Sequence, residues 1–422
     1  MYCLSIKHYK QISLRNVLIL GFIFLVFLWK SLDISIEFGK PLIKGDWYTS
    51  VVQKKSLRSN NERTVKLILL YTKFFGDFWN DHPSLGPLRP PILPGREAFD
   101  DCDYKCEITY EHDLLPLADA VGFHGPDIHL LSSNSLPNRT RANQIWFYYI
   151  LENPTNSNAS SSLNGIFNWT MSYRQNSEIY IPYGRYSSLE PGDIVKEVDL
   201  TYKDLFVAWM ASNCRETERN AYVGELLKFI PVDVYGQCGI FTCPLPRRSP
   251  SCRLLLKRYK FYLAFENGNC HDYITEKYWD NALENDIVPV VMGGADYSSP
   301  ALAIPNSYID VRDFDSPKKL AEYLIYLSQN DSAYMEYFQW KKKYKLVAPM
   351  RACPMCAALY NQELYDPPRT IVDLENTWSK SDCWSLNLLN KSKTQTNGIS
   401  RTSESPIYIE PLVPTDNAKV TR

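Results

Sequence analysis

The sequence predicts an α/β fold with parallel, doubly wound sheets. Short apolar runs rich in β-branched and aromatic residues recur along it, and in its second half they alternate with segments of helical character. At 422 residues the chain is long enough for two domains, each with its own core. In such sheets ligands bind outside the carboxyl ends of the strands. An apolar fraction of 45% and a charged fraction of 22% are those of a globular protein and exclude wholesale disorder. A net charge of −1 without a long basic run lacks the footprint of a nucleic-acid binder.

The N-terminus carries an uninterrupted apolar run, Val17 to Trp29, preceded by Lys7, Lys10 and Arg15 and closed by Lys30. A membrane helix needs about 20 residues. Widening the run to 12–32 reaches that length, with Arg15 and Lys30 snorkelling to the interfaces. Basic residues on the N-terminal side place residues 1–11 in the cytosol and the body in the lumen. A cleaved signal peptide is the competing reading. Lys30-Ser-Leu-Asp-Ile-Ser offers no small-residue cleavage site, so a single-pass type II signal anchor is expected. Ten cysteines besides Cys3, an even number, suit an oxidising compartment. Sequons at Asn138, Asn158, Asn168, Asn330 and Asn390 all follow the anchor and are candidate glycosylation sites.

Residues 33–63, polar from Glu37 to Arg63, read as a stem. A first domain over 64–204 opens with a strand at Val65–Tyr71. After a Pro-rich loop from Pro83 to Pro94, it continues with strands at Ala120–Phe123 and Gln144–Ile150. The Asn/Ser-rich stretch from Asn153 to Asn164 reads as a flexible loop. A second domain over 205–345 alternates strands (205–211, 232–235, 260–265, 287–292) with helices (218–229, 272–284, 317–328). Asp315-Ser316 can cap the last helix, with Pro317 in its first turn. A cysteine-bearing segment, 346–390, and a polar tail, 391–422, follow.

Phe261-Tyr-Leu-Ala-Phe-Glu-Asn267 ends a strand, and Asp272-Tyr-Ile-Thr-Glu-Lys277 opens the expected helix. On that helix Tyr273, Glu276, Lys277 and Asp280 share one face. Lys277 can neutralise a diphosphate, Glu276 can accept bonds from ribose hydroxyls, and the helix N-terminus adds positive potential. A solvated face with a Lys277–Asp280 ion pair is the bland alternative.

Those two strings, followed by Val288-Pro-Val-Val-Met-Gly293, resemble the donor-binding signature of the α1,3-fucosyltransferases of glycosyltransferase family 10. The likeness extends through Ala211-Ser-Asn-Cys214 with Arg219-Asn220, Phe167–Arg174, Pro182-Tyr-Gly184, Asp313–Pro317 and Tyr334–Trp340, covering about Val65 to Trp384. It implies a GT-B architecture: two Rossmann-like domains facing across a cleft, the first for the acceptor and the second for GDP-fucose, behind a transmembrane helix in the Golgi membrane. It further implies that Arg219, Asn267, Tyr273, Glu276 and Lys277 hold the donor and that Glu152, in Tyr149-Ile-Leu-Glu-Asn-Pro154, is the catalytic base. GDP-β-L-fucose giving an α-linked product requires inversion by one displacement. That needs a base for the acceptor hydroxyl and cations for the departing diphosphate. The implied partners are GDP-fucose and a glycan on a glycoprotein or glycolipid, with no cofactor required and Mn²⁺ at most stimulating.

Three alternatives compete. A metal-dependent transferase could use Asp101-Cys-Asp103 or Asp313-Phe-Asp315. Cys353-Pro-Met-Cys356 could be a redox pair, whereas the family pattern implies disulfides from Cys353 and Cys356 to Cys102 and Cys106. An inactive sugar-binding relative would be expected to lack part of the Glu152, Arg219, Glu276 and Lys277 set, which is intact. Gly268 stands where many relatives carry Ser. Cys102, Cys106, Cys238, Cys243, Cys252 and Cys270 resemble the pattern of invertebrate enzymes acting on the innermost GlcNAc of N-glycans. Antennal N-acetyllactosamine and LacdiNAc remain alternative acceptors.

Overall fold

The computed structural model describes residues 65–389, apart from 78, 80–91, 132–135, 216, 244–249, 349–350 and 366–368. The anchor at 12–32, the stem, Asn390 and the polar tail lie outside the described residues. Among the described residues no helix is long and apolar enough to cross a membrane.

The described residues form one compact unit containing two parallel sheets. The first comprises β1 (Lys66–Leu70), β2 (Cys106–Thr109), β3 (Ala120–His124), β4 (Ile145–Ile150), β5 (Trp169–Ser172) and β6 (Ile179–Tyr180), in the order β2-β1-β3-β4-β5-β6. After β7 (Arg185–Ser188), the second sheet holds β8 (Leu205–Met210), β9 (Asp233–Tyr235), β10 (Tyr259–Phe265), β11 (Val288–Met292) and β12 (Ile309–Asp310), ordered β12-β11-β10-β8-β9. A last strand, β13 (Tyr344–Val347), returns to pair antiparallel with β7.

Burial on both faces explains the unbroken apolar strands. Along β10 the pleat sorts its residues. Phe261, Leu263 and Phe265 enter a core shared with α1 (Glu218–Leu226) and α2 (Pro317–Gln329). Tyr262 and Ala264 face the other core, which also holds the first sheet. Ser316 caps α2 by accepting the Lys319 amide, with Pro317 opening the helix, as the sequence predicts. β2, β5, β6, β7, β12 and β13, each two to four residues long, are not announced by the sequence.

Three expectations are corrected. Residues 272–284 do not form an α-helix: Asp272 is left-handed (φ 57°), 273–275 are irregular, and Lys277–Ala282 make one π-helical turn. The Asn/Ser-rich stretch is tied down rather than flexible, with Asn153 fully buried and Asn164 bonded to Asp373 and the Glu375 amide. The helix expected at 218–229 ends at Leu226.

Disulfides Cys102–Cys353 and Cys106–Cys356 bind the helix Ala352–Tyr360 to the first sheet, as the resemblance implies. Each cysteine of the Cys353/Cys356 motif thus has a distant partner, which excludes a local redox pair. Cys214–Cys238, Cys243–Cys252 and Cys270–Cys383 complete the set. The C-terminal segment therefore touches both sheets: Arg174 of the first domain stacks over Trp378, donates to the Thr377 carbonyl and pairs with Asp382 at 2.8 Å.

Candidate active site

The site forms where the carboxyl ends of β4 and β10 approach each other. Beyond β10 the chain presents Glu266, Asn267 and Gly268. The Glu266 carboxylate is fully buried and organises the following turn. Its Oε1 accepts the Thr275 amide at 2.8 Å, while Oε2 accepts the Thr275 hydroxyl at 2.9 Å and Lys277 Nζ at 2.8 Å. These bonds fold the residues after Asn267 back onto the end of β10. The turn still brings Glu276 and Lys277 together, 3.6 Å apart. Of the four residues expected on one helical face, Glu276, Lys277 and Asp280 line a common cavity and Tyr273 does not, and the helical turn begins at Lys277 rather than at Asp272.

Burial alone would push the Lys277 ammonium down, but Glu266 and Glu276 outweigh it and hold it above its usual value. Burial pushes the Glu266 carboxyl up, and Lys277 opposes that shift. Arg219, on α1 and 4% exposed, donates through Nη1 to the Phe265 carbonyl (3.1 Å) and through Nη2 to that of Asn213 (3.3 Å). Its Nε has no hydrogen-bond partner among the described residues. Burial lowers its affinity for the proton, and the Glu266 charge opposes that shift.

Glu152 follows β4, and its Oε1 collects five hydrogen bonds. Donors are the Asn153 amide (3.0 Å), Asn153 Nδ2 (2.9 Å), Asn156 Nδ2 (3.3 Å), Asn267 Nδ2 (3.2 Å) and the Tyr273 hydroxyl (3.0 Å). Burial, and then the Glu152 charge, push the Tyr273 phenol well above its usual range, so it is protonated and donates. No hydrogen bond among the described residues reaches Oε2 of Glu152. The carboxylate is thus fixed by one oxygen, and its other oxygen is left without a hydrogen bond among the described residues.

Three cavities converge on Asn267, which lines all of them. One of about 600 Å³ lies beyond β8, β9 and β10 and presents Arg219, Arg253, Glu276 and Lys277. A second, of about 390 Å³, contains Glu152, Phe75 and Arg215 and shares Asn213 and Asn267 with the first. A third, of about 460 Å³, lies against the C-terminal segment at Trp384. Cations on one side, a half-free carboxylate on the other and a shared wall suit the transfer of a group from an anionic leaving group to a hydroxyl.

The sequence-predicted Glu152, Arg219, Asn267, Tyr273, Glu276 and Lys277 are all brought together, though Tyr273 turns inward to Glu152 rather than towards the 600 Å³ cavity. Sequence reasoning gave no role to Glu266, Asn153, Asn213 or Arg253; a Glu directly at the end of an apolar strand was the one available signal. The Lys277–Asp280 ion pair is replaced by Lys277–Glu266. Among the described residues no group of three or more His, Cys, Asp or Glu is gathered to hold a metal ion. Of the sequons, Asn138 and Asn158 are exposed. Asn330 is half-buried and caps the short helix Asp331–Met335. Asn168 is 5% exposed and bonded to the Trp146 amide, Arg139 and the Arg369 carbonyl, so the folded chain has no room for a glycan there.

Two parallel sheets with a cationic cavity at their carboxyl ends and a carboxylate beside it fit the class of group-transfer enzymes that act on an anionic donor. The model "Fucosyltransferase, N-terminal" matches residues 63–184, and "Glycosyltransferase family 10 (fucosyltransferase) C-term" matches residues 200–377. The chain belongs to glycosyltransferase family 10, the fucosyltransferases. It is 36% identical over 321 residues to glycoprotein 3-alpha-L-fucosyltransferase A of Drosophila melanogaster, covering 74% of this chain and 60% of that longer protein. It is 32% identical to alpha-(1,3)-fucosyltransferase C of the same species, covering 77% of this chain and 81% of the relative. To a 4-galactosyl-N-acetylglucosaminide 3-alpha-L-fucosyltransferase of Homo sapiens it is 38% identical, covering 72% and 78%.

Proposed function

We propose that this chain transfers L-fucose from GDP-β-L-fucose to the 3-hydroxyl of a GlcNAc residue in N-glycans or related glycoconjugates, inverting the anomeric centre. In this reading the two sheets form a GT-B pair, the first serving the acceptor and the second the donor. The 600 Å³ cavity takes GDP, with Lys277 and Arg219 facing the diphosphate and Glu276 available to the ribose. The acceptor enters the 390 Å³ cavity, where Glu152 removes its proton as the fucosyl–phosphate bond breaks. A type II anchor at residues 12–32 would hold the enzyme in the Golgi membrane, with the body in the lumen.

The observation that carries the reading is the asymmetry of Glu152, whose Oε1 is saturated by Asn153, Asn156, Asn267 and Tyr273 while Oε2 is left for an acceptor. In Glu152→Gln the amide oxygen can satisfy the same donors, and the NH₂ replaces the base. The kcat should fall by about 10²–10⁴-fold with GDP affinity retained. Turnover within a few-fold of wild type would remove Glu152 as base. Assaying the secreted body with GDP-fucose against a panel of N-glycans identifies the acceptor.

A further inference from the structure

Asn153, the residue after the base, is fully buried, and its side chain spans the gap between the two sheets. Its Nδ2 donates to Glu152 Oε1 at 2.9 Å and to Asn267 Oδ1 at 2.8 Å. Asn267 closes the triangle by donating its own Nδ2 to Glu152 Oε1 at 3.2 Å. The other end of the Asn153 amide is equally committed. Its Oδ1 accepts the Thr155 amide at 3.0 Å, the Thr155 hydroxyl and the Asn156 amide at 3.3 Å, closing an Asx-type turn. A side chain with every polar atom engaged has one orientation.

Gly268 is the matching half. A Cβ there would stand 2.8 Å from Asn153 Oδ1, 2.9 Å from its Cγ and 3.0 Å from Thr155 Oγ1. Gly268 is not in the left-handed region, so its backbone accepts any L residue; what excludes a side chain is the Asn153 amide. The two positions lie 115 residues apart in sequence, and each is shaped by the other.

We propose that Asn153 is a positioning residue, a clasp seated against Gly268, that fixes Glu152 in its working rotamer and ties it to Asn267. Because Asn267 also lines the cationic cavity, the clasp joins the donor side to the base. Orientation of the base is then set by the wall that the donor occupies. The inference rests on the reading of Glu152 as base, and it adds a residue and a glycine requirement which that reading does not contain.

Three variants test it, with Glu152→Gln as reference. Asn153→Asp keeps Oδ1 for the turn but loses both donated bonds and sets a second carboxylate beside Glu152. The kcat should fall about 10–100-fold, the KM for GDP-fucose should stay within about three-fold, and the acid limb of the kcat/KM profile should move to higher pH. The added charge alone moves that limb, so it is the fall in kcat with KM retained that a merely structural role would not produce. Gly268→Ala should lower kcat about ten-fold by displacing the Asn153 amide. In Asn153→Ala/Gly268→Ala the glycine substitution should cost nothing beyond Asn153→Ala alone, because the obstructed side chain is gone. The clasp is overturned by an Asn153→Asp variant within two-fold of wild type with an unmoved acid limb. It is overturned equally by losses that multiply in the double variant, or by a loss confined to GDP affinity. If Glu152→Gln is disabled while the Asn153 variants are not, the clasp falls and the base stands. If Glu152→Gln turns over normally, the base falls and the clasp with it.

Discussion

Lys277 illustrates why its deletion alone misleads. Its ammonium sits 2.8 Å from Glu266, whose side chain is 0% exposed against 12% for the lysine. Lys277→Ala removes the cation expected to face the diphosphate and also strands a buried carboxylate. Breaking such a pair from one side typically costs about 3–5 kcal/mol, a large part of a total stability of about 5–15 kcal/mol. At roughly 2–4 °C per kcal/mol the melting temperature should drop by about 6–20 °C, and lost activity would not separate binding from folding. The informative variant is Lys277→Met with Glu266→Gln. Both charges leave the interior, volumes are kept, and the Gln oxygen can still accept from Thr275. Replacing both members of a buried pair is often close to neutral, so the double variant should melt within a few degrees of wild type. A lost charge-assisted contact to phosphate is worth about 1.5–3 kcal/mol, which corresponds to a Kd for GDP raised roughly 10–150-fold. Titration calorimetry with GDP and a thermal melt on each variant separate the two effects. A GDP affinity within two-fold of wild type in the double variant would refute Lys277 as a diphosphate ligand. An unchanged melt for Lys277→Ala would refute the coupling to Glu266.

Other expectations follow from the same geometry. Because Arg219, Arg253 and Lys277 line the 600 Å³ cavity, turnover should persist in excess EDTA, with Mn²⁺ at most stimulating; complete, Mn²⁺-reversible loss would favour the Asp-x-Asp alternative. Lys203 is 7% exposed, bonded to the Tyr259 and Asn285 carbonyls, and burial lowers its pKa to about 7 from 10.5. The unfolded chain therefore binds more protons between those values, and the stability contribution of this group rises with pH across that window, by up to about 1.4 kcal/mol per unit. Relative to Lys203→Met, the wild type should gain stability between pH 7 and pH 9 in denaturant titrations; a pH-independent difference would contradict the shift. In secreted protein, glycan mapping by endoglycosidase and mass spectrometry should find Asn138 or Asn158 occupied and Asn168 bare.

The carboxyl ends of β4 and β10 show how far sequence reading reaches. The apolar strings before Glu152 and Glu266 announce buried strands because burial imposes a local composition that a short window records. The residue types at the site were legible through the resemblance, since Asn267, Tyr273, Glu276 and Lys277 lie within eleven positions of one another. Their arrangement was not. In place of the helix expected from Asp272 stands a turn pinned to a buried carboxylate outside that segment, which takes the Thr275 amide, its hydroxyl and Lys277. Propensity registers only neighbours along the chain, so an acceptor contributed by the preceding strand is invisible to it.

By itself the sequence determined the two parallel α/β layers, the family, the candidate base and the cations Arg219 and Lys277, all of which are encoded in contiguous runs. Only the tertiary structure decided which oxygen of Glu152 is free, that Glu266 anchors Lys277, that Asn168 is buried, and that Gly268 leaves space for Asn153. Those outcomes depend on hydrogen bonds and contacts between segments 100 or more residues apart, or on one carboxylate choosing among several nearby donors. Both are settled when the sheets pack and water leaves, and no local pattern in the chain records them.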